Sequence, residues 1–469
     1  MRNVVVICLD TVREDFFEHY ASEIQDLADV SYDECRAASA WSVPSHASML
    51  TGSLPHQHGV HAHNMDFSTL PNDAVITTRL PDHTTLSVSA NRFTTEEFGF
   101  DTWFQDCISV TPDRVFPEGL DARQSTGVFD HLRRSATHSH PFQSFANGIA
   151  VEGIKLIDQL PIPTLFDDGA RAIVNQTLGR IESIEEPYFL FTNFMEAHAP
   201  HRDAIFHDRS ISNVPNGWHT AKFDHWNIME QDQRANAGNE SEIEWFRGLY
   251  AAAVLYLDTI VASFVRELQV RSHWETTIII TADHGENLGY ASEDYQFVHT
   301  ASLSEGLLHV PFIVINPPTS LRSEAEPSLW SHLDLPEIIE YFATGRGGIP
   351  FTERRYVPAE IVGSTFGANG PEGEFWRRAI RCAYDADLGT KYVWDSLENK
   401  NIYDIETDRP SWQKLSESSE LEGEIAELEL CLFDNDIEQH KTEISGKKGV
   451  SPEQVSKSTQ KRLEKLGYL

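Results

Sequence analysis

The chain has 469 residues, a hydrophobic content of 40% and a formal net charge of −35. This length predicts about two domains with packed cores. So negative a surface repels nucleic acid and anionic membranes, and neither is expected as a partner. No apolar run approaches the roughly 20 residues that a membrane span needs. Because the segment from Met1 to Leu9 also lacks the pattern of a signal peptide, we expect no membrane insertion and a cytoplasmic location.

Only 11 of the 37 basic residues are lysines. An acidic, lysine-poor surface is typical of proteins from a cytoplasm at molar salt, where repulsion between carboxylates is screened. The composition therefore indicates a halophilic, haloarchaeal source, and an acidic protein from a mesophile is the alternative. The five cysteines are scattered and form no Cys-x-x-Cys pair, which argues against a disulfide framework and a zinc ribbon.

Strands and helices alternate over the first three hundred residues. Val4 to Leu9 is a continuous apolar run rich in β-branched residues, which predicts a strand buried on both faces of a parallel sheet. Further strands are predicted at 85–90, 188–194, 276–281 and 311–316, and helices at 167–184, 242–270 and 337–344. This alternation predicts an α/β sandwich with a mostly parallel sheet.

The character of the sequence changes after the glycine-rich segment that begins at Gly345. Short strands are predicted at 356–362, 375–384 and 391–394, followed by helices at 415–433 and 451–466. We therefore predict a catalytic domain over residues 1–345 and a smaller α+β subdomain over residues 346–469.

Several polar residues follow directly after predicted strands. Asp10 ends the first strand, His198 follows the strand at 188–194, and Asp283 and His284 follow the strand at 276–281. Ligands of open α/β folds bind beyond the carboxyl ends of the strands. We expect these residues to share one site.

Ser42 lies two residues before Pro44, and proline is favoured near the start of a helix. The pattern predicts a helix that begins at Ser45 and continues through Met49. A hydroxyl at that position lies where unpaired backbone N–H groups attract anions. Ser42 is therefore a candidate nucleophile, and the alternative is that it only caps the helix.

Asp10, Asp283 and His284 are candidate ligands of one divalent metal ion, with the Ser42 hydroxyl as the fourth ligand. Carboxylate and imidazole ligands suit Mn²⁺, Zn²⁺, Mg²⁺ or Ca²⁺, so the identity of the metal stays open. Gly285 would permit the sharp turn that lets adjacent Asp and His side chains reach one cation. The metal would lower the pKa of the Ser42 hydroxyl and hold it as an alkoxide.

Three further histidines are candidates for roles in the site. His198 could donate to a substrate oxyanion, and His299 could protonate the leaving oxygen. For His46 the sequence leaves both a role in the site and a structural role open.

These motifs, in this order, resemble the sulfatase family of the alkaline phosphatase superfamily. The resemblance rests on the segments Val4 to Arg13, Ser42 to Gly52, Asn193 to Pro200, Thr281 to Glu286 and Tyr403 to Glu406. It implies an alkaline-phosphatase-like three-layer sandwich with a smaller C-terminal subdomain. It also implies a metal-dependent hydrolase that cleaves small anionic sulfate esters or phosphoesters.

The sequence departs from the family pattern at four positions. Ser42 replaces the Cys that most sulfatases oxidise to formylglycine, and His46 replaces an Arg. Thr11 replaces a second metal-binding Asp, and His299 replaces a Lys. The remaining site residues, which are Asp10, Ser42, Asp283 and His284, more closely resemble those of relatives such as lipoteichoic-acid synthases. Those relatives use an unmodified hydroxyl bound to one metal ion.

Two alternatives follow from these departures. The first is a phosphodiesterase or phosphotransferase that uses unmodified Ser42. The second is a catalytically inactive protein that binds sulfated glycans. The oligomeric state stays open.

Overall fold

A computed structural model describes residues 1–110, 127–157, 162–223, 240–299, 302–318, 329–346, 354–363, 373–405, 411–416 and 422–433, with a few single positions between them. The predicted helix at 451–466 lies outside the described residues, as do Glu406 and Gly347.

The strands are short, and most are buried along their whole length. They are Asn3–Leu9 (β1), Val30–Ser31 (β2), Cys35–Arg36 (β3), Thr84–Ser89 (β4), Asp106–Ser109 (β5), Tyr188–Phe194 (β6), Thr276–Thr281 (β7), Asn287–Leu288 (β8), Phe297–Val298 (β9), Phe312–Ile315 (β10), Trp330–Ser331 (β11), Tyr356–Val362 (β12), Ala379–Asp385 (β13), Thr390–Asp395 (β14), Lys400–Ile405 (β15) and Gln413–Leu415 (β16).

The helices vary from one turn to nearly nine turns. They are Glu14–Tyr20 (α1), Ser22–Gln25 (α2), Ser42–Thr51 (α3), Pro55–His58 (α4), Ile76–Arg79 (α5), Val128–Ala136 (α6), Pro141–Ile157 (α7), Ala170–Ile181 (α8), Arg209–Ser212 (α9), Glu240–Arg271 (α10), Glu305–Leu308 (α11), Leu335–Thr344 (α12), Gly373–Trp376 (α13) and Glu422–Leu432 (α14).

A central sheet of seven strands has the order β2-β10-β7-β1-β6-β4-β5. The five strands from β7 to β5 run parallel, whereas β10 and β2 pair antiparallel at the other edge. Helix α10 packs against α1, α2 and α8, and a second group of helices contains α3, α5 and α12. Every residue of β1 is buried, as a strand covered by helices on both faces requires. The predicted α/β sandwich with a mostly parallel sheet is confirmed.

A second, antiparallel sheet contains β12 to β16 in sequential order. It packs against the first part of the chain through apolar side chains of the main core, such as Val357 and Ile361, and through buried charged groups. The Lys391 ammonium on β14 donates to a carboxylate oxygen of Glu305 on α11 over 2.8 Å, and Arg36 on β3 approaches the other oxygen of Glu305 at 3.1 Å. This second sheet is therefore held to the larger sandwich by apolar packing and by an ionic network.

Several predicted boundaries differ from the observed ones. The strand expected at 375–384 begins only at Ala379, because Gly373–Trp376 forms a helical turn. The helix expected at 415–433 begins at Glu422, since Leu415 still pairs with Tyr403 in the sheet. Each predicted helix or strand with an apolar pattern over many residues has the expected type. The bounds of the short segments depend on which neighbouring strand they pair with.

Helix α10 is long and apolar enough to cross a membrane by length and composition alone. However, 72% of its most apolar part is buried inside the protein. Such burial is the pattern of a core helix, and Leu249, Leu257 and Val265 are among its fully buried side chains.

Candidate active site

The register of the central sheet brings the candidate residues to one edge. Cys8 on β1 pairs with Asn193 on β6 and with Thr281 on β7. The segments that follow these three strands therefore leave the sheet at the same level. Asp10, His198 and Asp283 lie on those segments, as the sequence predicts for parallel strands.

Ser42 is the first residue of α3, and its side chain is fully buried. Its hydroxyl oxygen lies 3.5 Å from Oδ2 of Asp10 and 3.4 Å from Nε2 of His284. The prediction that the helix begins at Ser45 was wrong, because Trp41 is the capping residue and Pro44 lies inside the first turn. Proline is tolerated there since the first N–H groups of a helix have no partner within it.

Asp10, Asp283 and His284 form a compact group of buried ligand atoms. One oxygen or nitrogen from each residue lies within 4.8 Å of the others. Oδ1 of Asp10 and Oδ2 of Asp283 have no hydrogen-bond partner among the described residues. Buried carboxylate oxygens are costly without a partner, and a divalent cation is the partner that suits two of them beside an imidazole. The donor set therefore fits a metal ion.

The pKa shifts of Asp283 and His284 agree with a role as metal ligands. Burial raises the pKa of the Asp283 carboxyl, and burial lowers the pKa of His284 to about 3. His284 is thus neutral at pH 7. Its Nδ1 lies 2.8 Å from the backbone oxygen of Gly285, so Nδ1 holds the proton and Nε2 presents its lone pair toward Ser42.

The backbone around the carboxylates is tightly constrained. Thr11 adopts a φ of 62°, which is rare for a β-branched residue, and its N–H donates to Oδ1 of Asp283 over 3.2 Å. Gly285 was expected to permit a sharp turn, but its role is different. A Cβ atom at Gly285 would lie 2.1 Å from the backbone oxygen of Gly306. Glycine is needed there because two segments approach closely.

Two asparagines that the sequence analysis did not assign hold Asp10 in place. The side-chain amides of Asn91 and Asn193 donate to Oδ2 of Asp10 over 2.7 and 2.9 Å. Asn193 lies inside one of the motifs described above, and Asn91 follows the carboxyl end of β4, so position at a strand end was the available signal. Both amides bind Oδ2, and Oδ1 of Asp10 has no hydrogen-bond partner among the described residues.

His46 lies within the site, one turn after Ser42 on α3. Its Nδ1 lies 2.7 Å from the backbone oxygen of Ser42 and 3.8 Å from Oδ2 of Asp283. Cys8 also approaches this pair. Burial raises the pKa of the Cys8 thiol well above its usual value, so in the absence of a metal ion the thiol is neutral. His46 is therefore a residue that can position the backbone of Ser42 and the carboxylate of Asp283.

His198 and His299 meet next to this group. Their ring centroids lie 4.8 Å apart, and the ring of His299 is 4.9 Å from that of His284. Nδ1 of His299 also lies 3.1 Å from Oε1 of Glu286, a residue to which the sequence analysis gave no role. All four side chains are buried. The structure therefore brings every candidate residue named from the sequence into one neighbourhood.

Comparison with known proteins agrees with this geometry. A family model described as Sulfatase matches residues 2–339. The fold is similar to that of a 2-O GAG sulfatase, with 15% identity, 96% of this chain and 95% of that chain covered, and a TM-score of 0.58. It is also similar to the phosphonate monoester hydrolase of Agrobacterium radiobacter, with 14% identity, coverage of 88% and 90%, and a TM-score of 0.60.

The phosphonate monoester hydrolase SpPMH from Silicibacter pomeroyi has 16% identity, coverage of 88% and 91%, and a TM-score of 0.57. No match was found among curated proteins. At these identities the structural matches show the fold, and the family model covers well over half of the chain. The chain belongs to the sulfatase family, which consists of ester hydrolases.

Proposed function

We propose that the protein hydrolyses sulfate esters or phosphoesters of small anionic substrates, with Ser42 as the nucleophile. The observation that carries this proposal is the position of the Ser42 hydroxyl. It lies at the start of a buried helix, within 3.5 Å of Asp10 and His284, beside two carboxylate oxygens without hydrogen-bond partners among the described residues.

Asp10, Asp283 and His284 would hold one divalent metal ion, and Ser42 would be its fourth ligand. Such an ion, when bound, lowers the pKa of a coordinated hydroxyl and offsets the negative charge of the substrate. The second role matters because the protein carries a net charge of −35 and would otherwise repel an anionic ester.

The chain itself supplies the remaining groups. The Ser42 hydroxyl gives its proton to solvent water, and its oxygen then forms a bond to sulfur or phosphorus while the bond to the alcohol oxygen breaks. The departing oxygen takes a proton from the pair of His198 and His299. Backbone N–H groups at the start of α3 stabilise the equatorial oxygens. The product of this step is an ester of Ser42.

The fate of that ester separates the two substrate classes. A serine phosphate is released when water attacks phosphorus, which returns Ser42 to its original state. A serine sulfate has no comparable exit, whereas a formylglycine hydrate expels sulfate by collapsing to an aldehyde. Unmodified Ser42 therefore favours phosphoesters, and sulfate turnover requires that Ser42 be modified. Membership of the sulfatase family supports the second possibility.

The decisive experiment compares matched aryl esters. Wild type and Ser42→Ala are assayed in molar KCl against an aryl sulfate, an aryl phosphate and an aryl phosphodiester, with Mn²⁺, Ca²⁺ or Zn²⁺ supplied in turn. We expect turnover of at least one ester by wild type and a loss of about 10⁴-fold or more in the variant. Ser45→Ala is the matched control, because Ser45 is buried in the same helix but donates to backbone oxygens.

Product analysis distinguishes the alternatives. Mass spectrometry of the Ser42 peptide reports whether the residue is modified. Transfer of the phosphoryl group to added glycerol would identify a phosphotransferase. An intact fold with no turnover of any ester, together with binding of sulfated glycans, would replace the proposal by a binding protein.

A further inference from the structure

Helices α6 and α7 form a hairpin whose apolar residues face solvent. Phe129 on α6 is 89% exposed, and Phe142 and Ile149 on α7 are 88% and 75% exposed. Phe142 and Ile149 are seven residues apart, which places them on one face of α7 two turns apart. Val128 and Leu132 are exposed on α6 as well. We call these five side chains the hairpin surface.

The opposite side of the hairpin is buried and mostly polar, with Val151 as an apolar member. The Leu120 N–H donates to the hydroxyl of Ser144 over 2.8 Å, and the Asn147 amide donates to the backbone oxygen of Leu120 over 3.2 Å. His131 lies 2.7 Å from the backbone oxygen of Ser144 through Nε2. An amphipathic helix of a globular protein normally buries its apolar side. On α7 the buried side holds Ser144 and Asn147 together with Val151, whereas Phe142 and Ile149 remain exposed and are available to a partner.

The hairpin surface stands out from the rest of the described surface. Of 17 large hydrophobic residues that are exposed in the described ranges, five belong to the hairpin surface. With about 200 Å² for an exposed phenylalanine and about 150 Å² for an aliphatic side chain, the five side chains expose roughly 600 Å². Each partner in a standard protein interface buries about 800 Å². The surface is therefore close to the size that a stable dimer needs.

The charge around the hairpin surface limits which kind of partner can bind to it. Between Val128 and Ile149 the only acidic residue is Asp130, against Arg133 and Arg134, whereas the whole chain carries −35. Two copies that meet through this face avoid most of the repulsion between their acidic surfaces. An anionic lipid surface would meet the full negative charge of the protein. A self-complementary apolar face needs no opposite charge.

We propose that the hairpin surface is the interface between two copies of this chain. The two hairpins pack face to face about a two-fold axis, with Phe129 and Phe142 in the centre. Molar KCl strengthens the dimer because it screens the repulsion between the two acidic chains. This proposal does not depend on the proposed ester hydrolysis.

Sedimentation velocity of the full chain tests the proposal over about a hundred-fold dilution range in molar KCl. We expect wild type to be a dimer that dissociates on dilution, and Phe129→Ser/Phe142→Ser to be a monomer with unchanged ester turnover. Val270→Ser/Leu430→Ser is the matched control, because these residues are 83% and 87% exposed on α10 and α14. It should remain dimeric.

A second variant guards against misfolding of the first. Ile149→Glu adds a charge to the hairpin surface and should also give a monomer, with an unchanged near-ultraviolet circular dichroism spectrum. Amide exchange over residues 128–149 should slow as the protein concentration rises. A wild type that is monomeric at every concentration, or a double variant that stays dimeric, would overturn the proposal. A monomer that binds zwitterionic vesicles through Phe129 would replace it by a lipid surface.

Discussion

Nδ1 of His299 lies 3.1 Å from Oε1 of Glu286, and both side chains are buried. Burial raises the pKa of Glu286 to about 8 and lowers the pKa of His299 well below its usual value. Both groups are therefore mainly neutral at pH 7, with the Glu286 carboxyl donating to Nδ1 and the proton of His299 on Nε2. In this tautomer His299 can protonate a leaving oxygen and recover the proton from Glu286.

Glu286→Gln should show whether Glu286 only orients the ring of His299 or also supplies it with a proton. The glutamine amide still donates a hydrogen bond to Nδ1 of His299, but it has no acidic proton to transfer. For an alkyl ester, which needs protonation of the leaving oxygen, we expect kcat to fall by about 10²-fold. For a nitrophenyl ester, which leaves without a proton, kcat should change little. Equal losses on both esters would refute the relay. His299→Gln should reproduce the pattern of selective loss.

Asp283→Asn should stabilise the protein in the absence of metal and abolish the response to metal. Burial raises the pKa of Asp283, which means that its negative charge is unfavourable without a counterion. Thermal unfolding with EDTA should therefore show a higher midpoint for the variant than for wild type. Addition of Mn²⁺ should raise the midpoint of wild type only.

Asp258→Asn serves as the control for this comparison. Asp258 is a buried carboxylate on α10 that accepts from the N–H groups of Glu23 and Ile24. Its replacement removes one of these bonds, because the amide nitrogen cannot accept, but leaves the response to Mn²⁺ intact. An Asp283→Asn variant that still gains stability from Mn²⁺ would contradict the assignment of this residue as a ligand.

Lys391→Met should destabilise the attachment of the small sheet by about 3 kcal/mol. The ammonium of Lys391 and the carboxylate of Glu305 are both buried, and Arg36 remains as the other partner of Glu305 after the change. Urea unfolding measures the loss. Lys391→Met/Glu305→Gln should recover part of it, because the oxygen that faced the ammonium then belongs to a neutral amide, and Arg36 keeps Glu34 as an ionic partner. A double variant less stable than the sum of the single variants would contradict this account.

Stability should fall with decreasing pH in two stages. Burial, followed by the charge of Arg36, lowers the pKa of His309 from 6.5 to about 3, so the unfolded chain takes up a proton first as the pH falls below 6.5. Burial would raise the pKa of Glu305, but Lys391 and Arg36 outweigh it and lower the value from 4.5 to about 2. The stabilisation from Glu305 is present above 4.5 and is lost as the pH falls toward 2.

Urea unfolding at pH 7.5, 5.5 and 4 tests this order. His309→Gln should remove only its own share of the loss between pH 7.5 and 5.5, because glutamine does not titrate, whereas burial also lowers the pKa of His58, His201 and His332 to about 3. The loss below pH 4.5 should remain in that variant. His19→Gln is the control, since His19 lies near the end of α1 outside the buried network. A pH profile unchanged by His309→Gln would contradict the assignment.

Sequence pattern alone determined the buried strands, the fold class and the candidate metal ligands of this protein. The strand from Val4 to Leu9 and the strand from Thr276 to Thr281 were recognisable because a strand covered on both faces must be apolar at every position. The parallel order of such strands then predicted that Asp10, Asp283 and His284 would meet. Local chemistry therefore determined the fold class and the candidate metal ligands.

Other features arose only from tertiary contacts. The start of α3 at Ser42, the contact of Glu286 with His299 and the amides that hold Asp10 depend on which segments lie side by side after folding. Asn91 and Asp10 are 81 residues apart, and Lys391 and Glu305 are 86 apart. No local period encodes such pairs, because they follow from the order of the strands and the packing of two sheets. The outward apolar face of α7 was decided in the same way, by polar contacts of Ser144 and Asn147 that fix which side of the helix is buried.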